Sequence, residues 1–350
     1  MYQEWSDMLS RRFLVLAIAL HLFLALASSP QASPAIEALP LAAGISQNIS
    51  IDGDPSDWGD FTCPELPVDN AYGVYYYSTV GGVPQWIWCD AGGDERTDFS
   101  SPDKRADLLQ FRVTGDGEFL YLLFIFNDTS GFSIGDNGAT FIALAINRNG
   151  STGGTEWFAG NSQTRVASDA AWDYQVVVNL ADSRYSGQGK TALTDGLQSN
   201  WGGIFYLVDK DWSFITGEEA LMGVDLSRNS VEVRIPWGLI GGVPSGGVFF
   251  LRLSLITARG WSDYDGNEGG TWDIGRDNTS DALDAMTTAG PNTWEEVRDG
   301  VVDYFADVYF TTTPPYYPVP EPGLLVAAGS LIPVTGFIGY ELRRRRRSNN

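Results

Sequence analysis

Carboxylates are the side chains in this 350-residue chain with the most chemistry to offer. Asp52, Asp54 and Asp57 fall within one short turn-like segment, and Asp90, Asp94, Glu95, Asp98, Asp103 and Asp107 crowd a second. A third group is Asp263, Asp265, Asn267 and Glu268, which lacks the twelfth-position glutamate of an EF-hand loop. Oxygen ligands gathered in loops suit calcium, and Asp90, Asp94 and Asp107, or Asp52, Asp54 and Asp57, are the expected ligands. Aspartates also cap backbone amides in tight turns, and acidic loops are often merely solvated. Both readings stand at the level of sequence.

Tryptophan is the second resource, with twelve in the chain. The apolar face of a sugar ring packs on an aromatic face. Trp157, Trp201, Trp212 and Trp261 lie in loop-like sequence and are the expected glycan platform. Trp58 and Trp237 lie in strand-like motifs, and Trp86 and Trp88 alternate on one face beside Cys89, so these four are expected in the core.

Other chemistry is excluded or poorly supplied. The single histidine, His21, lies in an apolar N-terminal segment expected to be removed. Without it no serine–histidine or cysteine–histidine pair can form, and zinc has no imidazole ligand. Glycoside hydrolysis by two carboxylates remains conceivable, with Glu156, Glu218, Glu219 and Glu232 as candidates. No pair is set apart, and Glu232 reads as a structural strand residue, so the expectation is a protein that is not an enzyme. The net charge of −22 argues against nucleic acid as a partner.

The elements that must hold these residues are strands. In Leu109–Thr114, Leu109, Phe111 and Val113 face one way and Gln110, Arg112 and Thr114 the other. A turn at Gly115–Glu118 leads into the apolar run Phe119–Phe126. Further strands are expected at 141–146, 174–180, 204–208, 231–235, 248–256 and 301–310. No sustained helical period interrupts them. The fold class is all-β, an antiparallel β-sandwich of jelly-roll or immunoglobulin-like type over residues 45–310, after a linker at 28–44. Cys63 and Cys89 are the only cysteines and are expected to form one disulfide.

Both ends read as addresses. Arg11-Arg12 precede a 15-residue apolar run, Phe13–Ala27, and Ala25-Leu26-Ala27 suits signal peptidase, so residues 1–27 are expected to be a signal peptide. Residues 311–322 carry five prolines and are expected to form a stiff stalk. Pro320-Glu321-Pro322 precede an apolar segment at 323–342, expected to be a transmembrane helix, and a basic tail at 343–350 with five consecutive arginines. The arginines place the body outside the cell.

This three-part tail resembles the PEP-CTERM sorting signal. The resemblance implies an exosortase-type sorting enzyme as a partner, attachment at the cell surface or release after sorting, and a setting in extracellular polysaccharide or biofilm. The body carries a second resemblance on three ordered segments: Ile51-Asp52-Gly53-Asp54-Pro55-Ser56-Asp57-Trp58; Asp90–Asp94 followed by Ala106–Leu109 and the Phe119-Leu120-Tyr121 hairpin; and Val231-Glu232-Val233-Arg234-Ile235-Pro236-Trp237. Together they look like the carbohydrate-binding module family 9 and DOMON-like sandwiches, including the glucodextranase C-terminal type. That resemblance implies a sandwich, with calcium near Asp90 and Asp94 in some relatives. The expected function is non-catalytic binding of a polysaccharide or other extracellular glycan, or a matrix role. A structural surface protein with no small ligand is the competing reading.

Overall fold

The structure is a computed structural model, and the residues it describes are 38–41, 48–64, 74–95, 106–129, 140–148, 153–155, 164–179, 188–192, 205–215, 217, 219–259, 282–286 and 301–312. All belong to one compact unit, Ala38–Asn350. The expected signal peptide at 1–27, the sorting motif Pro320-Glu321-Pro322 and the apolar segment at 323–342 lie outside the described residues. Among the described residues, no helix is long and apolar enough to cross a membrane.

Two sheets face each other. One runs β1 (Leu39–Pro40), β17 (Ala306–Thr311), β14 (Val248–Arg259), β6 (Thr140–Arg148), β8 (Tyr174–Asn179), β10 (Phe205–Asp209) and β11 (Phe214–Ile215). The other runs β2 (Val74–Val80), β3 (Val83–Cys89), β4 (Leu108–Gly115), β5 (Phe119–Phe126), β13 (Ser230–Pro236), β12 (Leu221–Asp225) and β9 (Gln188–Ala192). The short β7 (Arg165–Val166) and β16 (Val301–Val302) pair in parallel apart from both. β14 is long enough to need two neighbours on one side. β17 covers Val248–Leu253, and β15 (Ala282–Ala285) pairs with Ile256–Ala258.

The main core lies between the sheets, with Trp86, Trp88, Phe111, Phe124, Val176, Phe205, Trp237 and Phe310 fully or nearly fully buried in it. Burying a large apolar side chain contributes about 1.5–3 kcal/mol, so this layer dominates the favourable side of folding. β5, paired with β4 and β13, sends Leu120, Leu122, Phe124 and Phe126 into this core and Tyr121 and Leu123 into a second apolar cluster on its other face, which explains its unbroken apolar sequence.

Period two places β4 almost correctly. A register shift between Leu108 and Gln110 puts Leu108 in the core and leaves Leu109 half-buried. The opposite face of β4 is not a solvent face either: Gln110, Arg112 and Thr114 are buried. The segment that follows Trp58 lies over them. Gln110 Nε2 donates to Phe61 O at 3.2 Å, and Arg112 donates to Gly59 O at 2.9 Å and Phe61 O at 3.3 Å. Burial draws the Arg112 guanidinium down to about 10.

Trp58 is fully buried as expected, but in a separate cluster on the outer face with Ile49, Ile51, Tyr121 and Leu123. The expected disulfide joins Cys63 to Cys89, with Cα atoms 5.7 Å apart. It ties the 59–64 segment to the end of β3.

Candidate functional site

Five acidic side chains are buried together at one end of the sandwich: Asp90, Asp94, Glu95, Asp107 and Asp284. Among the described residues, Asp90, Asp94 and Asp284 are the only three acidic, histidine or cysteine side chains that bring ligand atoms within 4.8 Å of one another. Asp107 stands close enough to act electrostatically on Asp90 and Asp94.

Each is fixed by its backbone. Asp90 follows Cys89 at the end of β3, where its own N–H donates to Leu109 O at 3.0 Å and its Oδ1 accepts from Ala91 N at 2.9 Å. Asp107 immediately precedes β4, and its Oδ2 accepts from Gly93 N at 2.7 Å and Asn127 Nδ2 at 2.6 Å. Asp284 comes from the opposite sheet. Its Oδ1 accepts from Ala285 N at 2.8 Å and its Oδ2 from Leu108 N at 2.7 Å, across 176 residues of chain. Thr257 Oγ1, also from that sheet, donates to Ala106 O at 2.7 Å beside it.

These bonds leave acceptors over. Asp90 Oδ2, Asp94 Oδ1 and Asp107 Oδ1 are buried and meet no donor. Burial is the largest influence on all three and pushes their carboxyls up; the neighbouring carboxylates push the same way. Asp90 rises well above the usual range, Asp94 reaches about 7 and Asp107 about 8. A side-chain hydrogen bond with Asp90 offsets part of this at Asp94, Asn127 does so at Asp107, and backbone donors do so at all three. An unpaired buried carboxylate costs several kcal/mol. A bound cation or a bound proton relieves that cost, and the donor set is all oxygen, the chemistry of a hard divalent ion.

Asp52, Asp54 and Asp57 serve a different purpose. Asp52 Oδ1 accepts from Asp54 N and Asp54 Oδ1 from Ser56 N, both at 3.0 Å, and Asp57 Oδ2 accepts from Ser50 N at 2.8 Å. Asp54 also pairs with Arg228 at 2.7 Å. They are turn caps at the mouth of the 3-10 helix Pro55–Trp58, and no shared cation point forms among them.

Glu232 is fully buried, with the Asp52 carboxylate near enough to act on it electrostatically. It accepts from Asp52 N at 3.0 Å, Gly53 N at 2.7 Å and Trp58 Nε1 at 2.8 Å. Its role is to clasp the Ile51–Trp58 turn onto β13. Of the other acids considered for hydrolysis, Glu219 is exposed, and Glu156 and Glu218 lie outside the described residues.

Of the four platform tryptophans, Trp157, Trp201 and Trp261 lie outside the described residues. Trp212 is 42% exposed, whereas Trp58, Trp86, Trp88, Trp172 and Trp237 are buried. It sits in the turn between β10 and β11 with φ of 64°, a left-handed conformation that costs a bulky residue energy. Asp209 holds that turn: its Oδ1 accepts from Asp211 N and Ser213 N, both at 2.9 Å, and its carbonyl accepts from Trp212 N at 2.9 Å. The Trp212 ring meets buried Trp172 edge-on, with centroids 5.7 Å apart. The indole is therefore fixed with much of its surface in solvent.

The sequence pointed to Asp90, Asp94 and Asp107 but gave no sign of Asp284, which sits inside a short strand and reads as an ordinary edge residue. No protein-family model and no curated protein matches this chain. Among solved structures, a family 9 carbohydrate-binding module from Caldicellulosiruptor kristjanssonii, in complex with cellotriose, aligns over 81% of this chain and 98% of its own. The identity is 11% and the TM-score 0.27, and a likeness at that level carries no inference about ligand or fold.

Proposed function

We propose that this protein is an exported, non-catalytic β-sandwich that carries calcium at the Asp90–Asp94–Asp284 centre and binds extracellular glycan. The observation that carries the reading is the buried carboxylate centre, with three oxygens that meet no donor. Asp90, Asp94 and Asp284 would supply the ligands, with Asp107 beside them. A calcium ion there supplies positive charge and nothing more: it turns mutual repulsion into attraction and draws Asp284 of one sheet toward Asp90 and Asp94 of the other.

Glycan binding rests on Trp212, an ordered and solvent-facing indole in a protein whose other described tryptophans are buried. Export rests on the two ends of the sequence and agrees with the disulfide, which belongs in an oxidising compartment. In this reading an exosortase-type enzyme handles the Pro320-Glu321-Pro322 tail, and residues 323–342 hold the protein at the membrane until then.

The test is a glycan array on the full chain, in millimolar calcium and in chelator, with Trp212→Ala alongside. Binding that needs calcium and is weakened by Trp212→Ala is the expected result. An array with no positive glycan under either condition returns the protein to the purely structural class.

A further inference from the structure

The two main sheets end in four terminal strands, β1, β11, β2 and β9. A terminal strand offers its outer N–H and C=O groups to any other chain, and brevity, proline and lysine are the usual defences. Three of the four carry such a defence. β1 is two residues long and ends in Pro40, β11 is two residues long, and β9 is Gln188-Gly189-Lys190-Thr191-Ala192. Where β17 runs past β1, Tyr77 Oη covers it, accepting from Tyr309 N at 2.9 Å.

β2 has none of these devices. It is seven residues long, Val74-Tyr75-Tyr76-Tyr77-Ser78-Thr79-Val80, and β-branched or aromatic except at Ser78. Residues 70–89 hold no charged side chain, on a chain with a net charge of −22. Among the described residues, β3 is the one strand that pairs with β2. The strand is also held firmly. The Tyr75 ring stacks on buried Trp86 at 6.0 Å, the Tyr76 ring meets Phe61 at 5.6 Å, and Tyr77 reaches across to the other sheet. Tyr75 is nevertheless 54% exposed and Tyr76 36%, and no other described strand exposes two large apolar side chains.

The hairpin decides which backbone groups face outward. β2 and β3 are joined by the two-residue turn Gly81-Gly82, with Val80 opposite Val83. In such a turn Val80 and Val83 form a hydrogen-bonded pair, and alternation makes Ser78–Gln85 and Tyr76–Ile87 the next ones. Thr79 and Pro84 fall between, and Pro84 O accordingly faces β4, where it accepts from Thr114 Oγ1 at 2.6 Å. Tyr75 and Thr79 therefore turn their amides and carbonyls away from β3.

We propose that β2 pairs with β2 of a second copy of this chain, antiparallel about a twofold axis, so that one sheet continues across the dimer. Tyr75 of each copy then meets Thr79 of the other. A twofold contact needs a surface that complements itself, and an uncharged strand with outward groups near both ends does so. Two acidic bodies meet along a line that adds no repelling side chain, whereas a partner chosen for basic charge finds nothing acidic on this strip to hold. A single strand pair is small beside the roughly 1,200–2,000 Å² of a stable interface, so the dimer is reversible, with a dissociation constant of about 1–100 μM. The proposal rests on neither the calcium nor the glycan reading.

The test is sedimentation equilibrium of the full chain in mild detergent and millimolar calcium, from about 1 to 300 μM, which brackets that range. A reversible monomer–dimer equilibrium is expected. Thr79→Pro removes an outward N–H without touching the β2–β3 ladder and should leave a monomer throughout, with an unchanged melting temperature. Thr79→Lys, at an exposed position, should weaken the dimer at least tenfold and serves if the proline variant does not fold. Hydrogen exchange at the Tyr75 and Thr79 amides should slow with concentration in the native chain and not in Thr79→Lys. A native chain that stays monomeric at every concentration overturns the proposal. So does a dimer of native affinity in the Thr79 variants, which would place the contact elsewhere, for instance in the apolar segment at 323–342. A glycan or a foreign strand that protects the same amides in a monomeric chain would assign the edge to that occupant and refute self-pairing.

Discussion

The indole N–H of Trp58 donates to Glu232 Oε1 at 2.8 Å across 174 residues of chain, with both side chains fully buried. This bond joins the first and last of the three segments on which the family resemblance rests. The backbone approach beneath it is equally close. Gly53 has φ of 88°, and a Cβ on it would stand 2.3 Å from the Val224 carbonyl carbon. Gly223 faces the same contact, with 2.7 Å between a built Cβ and Gly53 N. The turn lies directly on β12, and its amides reach Glu232 on β13 because no side chain intervenes.

Trp58→Phe should lower stability by about 1–3 kcal/mol, since it leaves a buried carboxylate short of one donor. Glu232→Gln should cost a similar amount, and the two changes together should cost less than their sum. Chemical denaturation of the four proteins measures the coupling; strict additivity would mean that the bond is not formed.

Glu232 also sets a pH dependence. Burial, the largest influence, raises its carboxyl to about 7 despite the three donors. Between the ordinary glutamate range and about 7 the folded state holds a proton that the unfolded chain releases. Stability from this group is therefore greatest at acidic pH and declines as pH rises through 7. Melting temperature followed from pH 5 to 8 in saturating calcium should fall less steeply for Glu232→Gln than for the native chain.

Asp284→Asn should abolish most of the calcium-induced rise in melting temperature, although Asp284 is remote in sequence from Asp90 and Asp94. For the native chain, a hundredfold excess of calcium over its dissociation constant adds about 2.7 kcal/mol. Thermal unfolding in chelator and in calcium at matched ionic strength reads this directly. Asp57→Asn, at a turn cap, should leave the calcium shift intact.

Replacing Cys63 and Cys89 by serine should cost about 3 kcal/mol, the usual contribution of a loop closed at a separation of 26. It should also weaken calcium binding, because Asp90 follows Cys89 directly. Titration of calcium into the disulfide-free variant should show a lower affinity at a temperature where both proteins remain folded.

Truncation before Gly323 tests the proposed address. The shortened protein should appear in the medium, and retention in the cell envelope would show that the tail is not the anchor.

Local pattern determined a good deal of this protein. Alternation in β8 and the apolar run of β5 predicted strands because one face, or both, must leave water. Two cysteines, the only pair in a chain expected to be exported, predicted their own bridge. Trp86, Trp88 and Trp237 announced the core by their place in strands. What remained hidden depends on which elements lie across from one another. The polar face of β4 is buried because the segment after Trp58 happens to cover it, and nothing in Gln110-X-Arg112-X-Thr114 says so. Asp52 and Asp90 both sit in acidic clusters, yet one cluster caps turns at the surface and the other is enclosed, a difference made by burial and not by spacing. Asp284 joins the enclosed cluster only because β15 continues the edge of β14 where β17 ends. Its carboxylate then reaches Leu108 of the facing sheet. Desolvation and the repulsion between carboxylates are properties of that enclosure, and tertiary packing alone creates it.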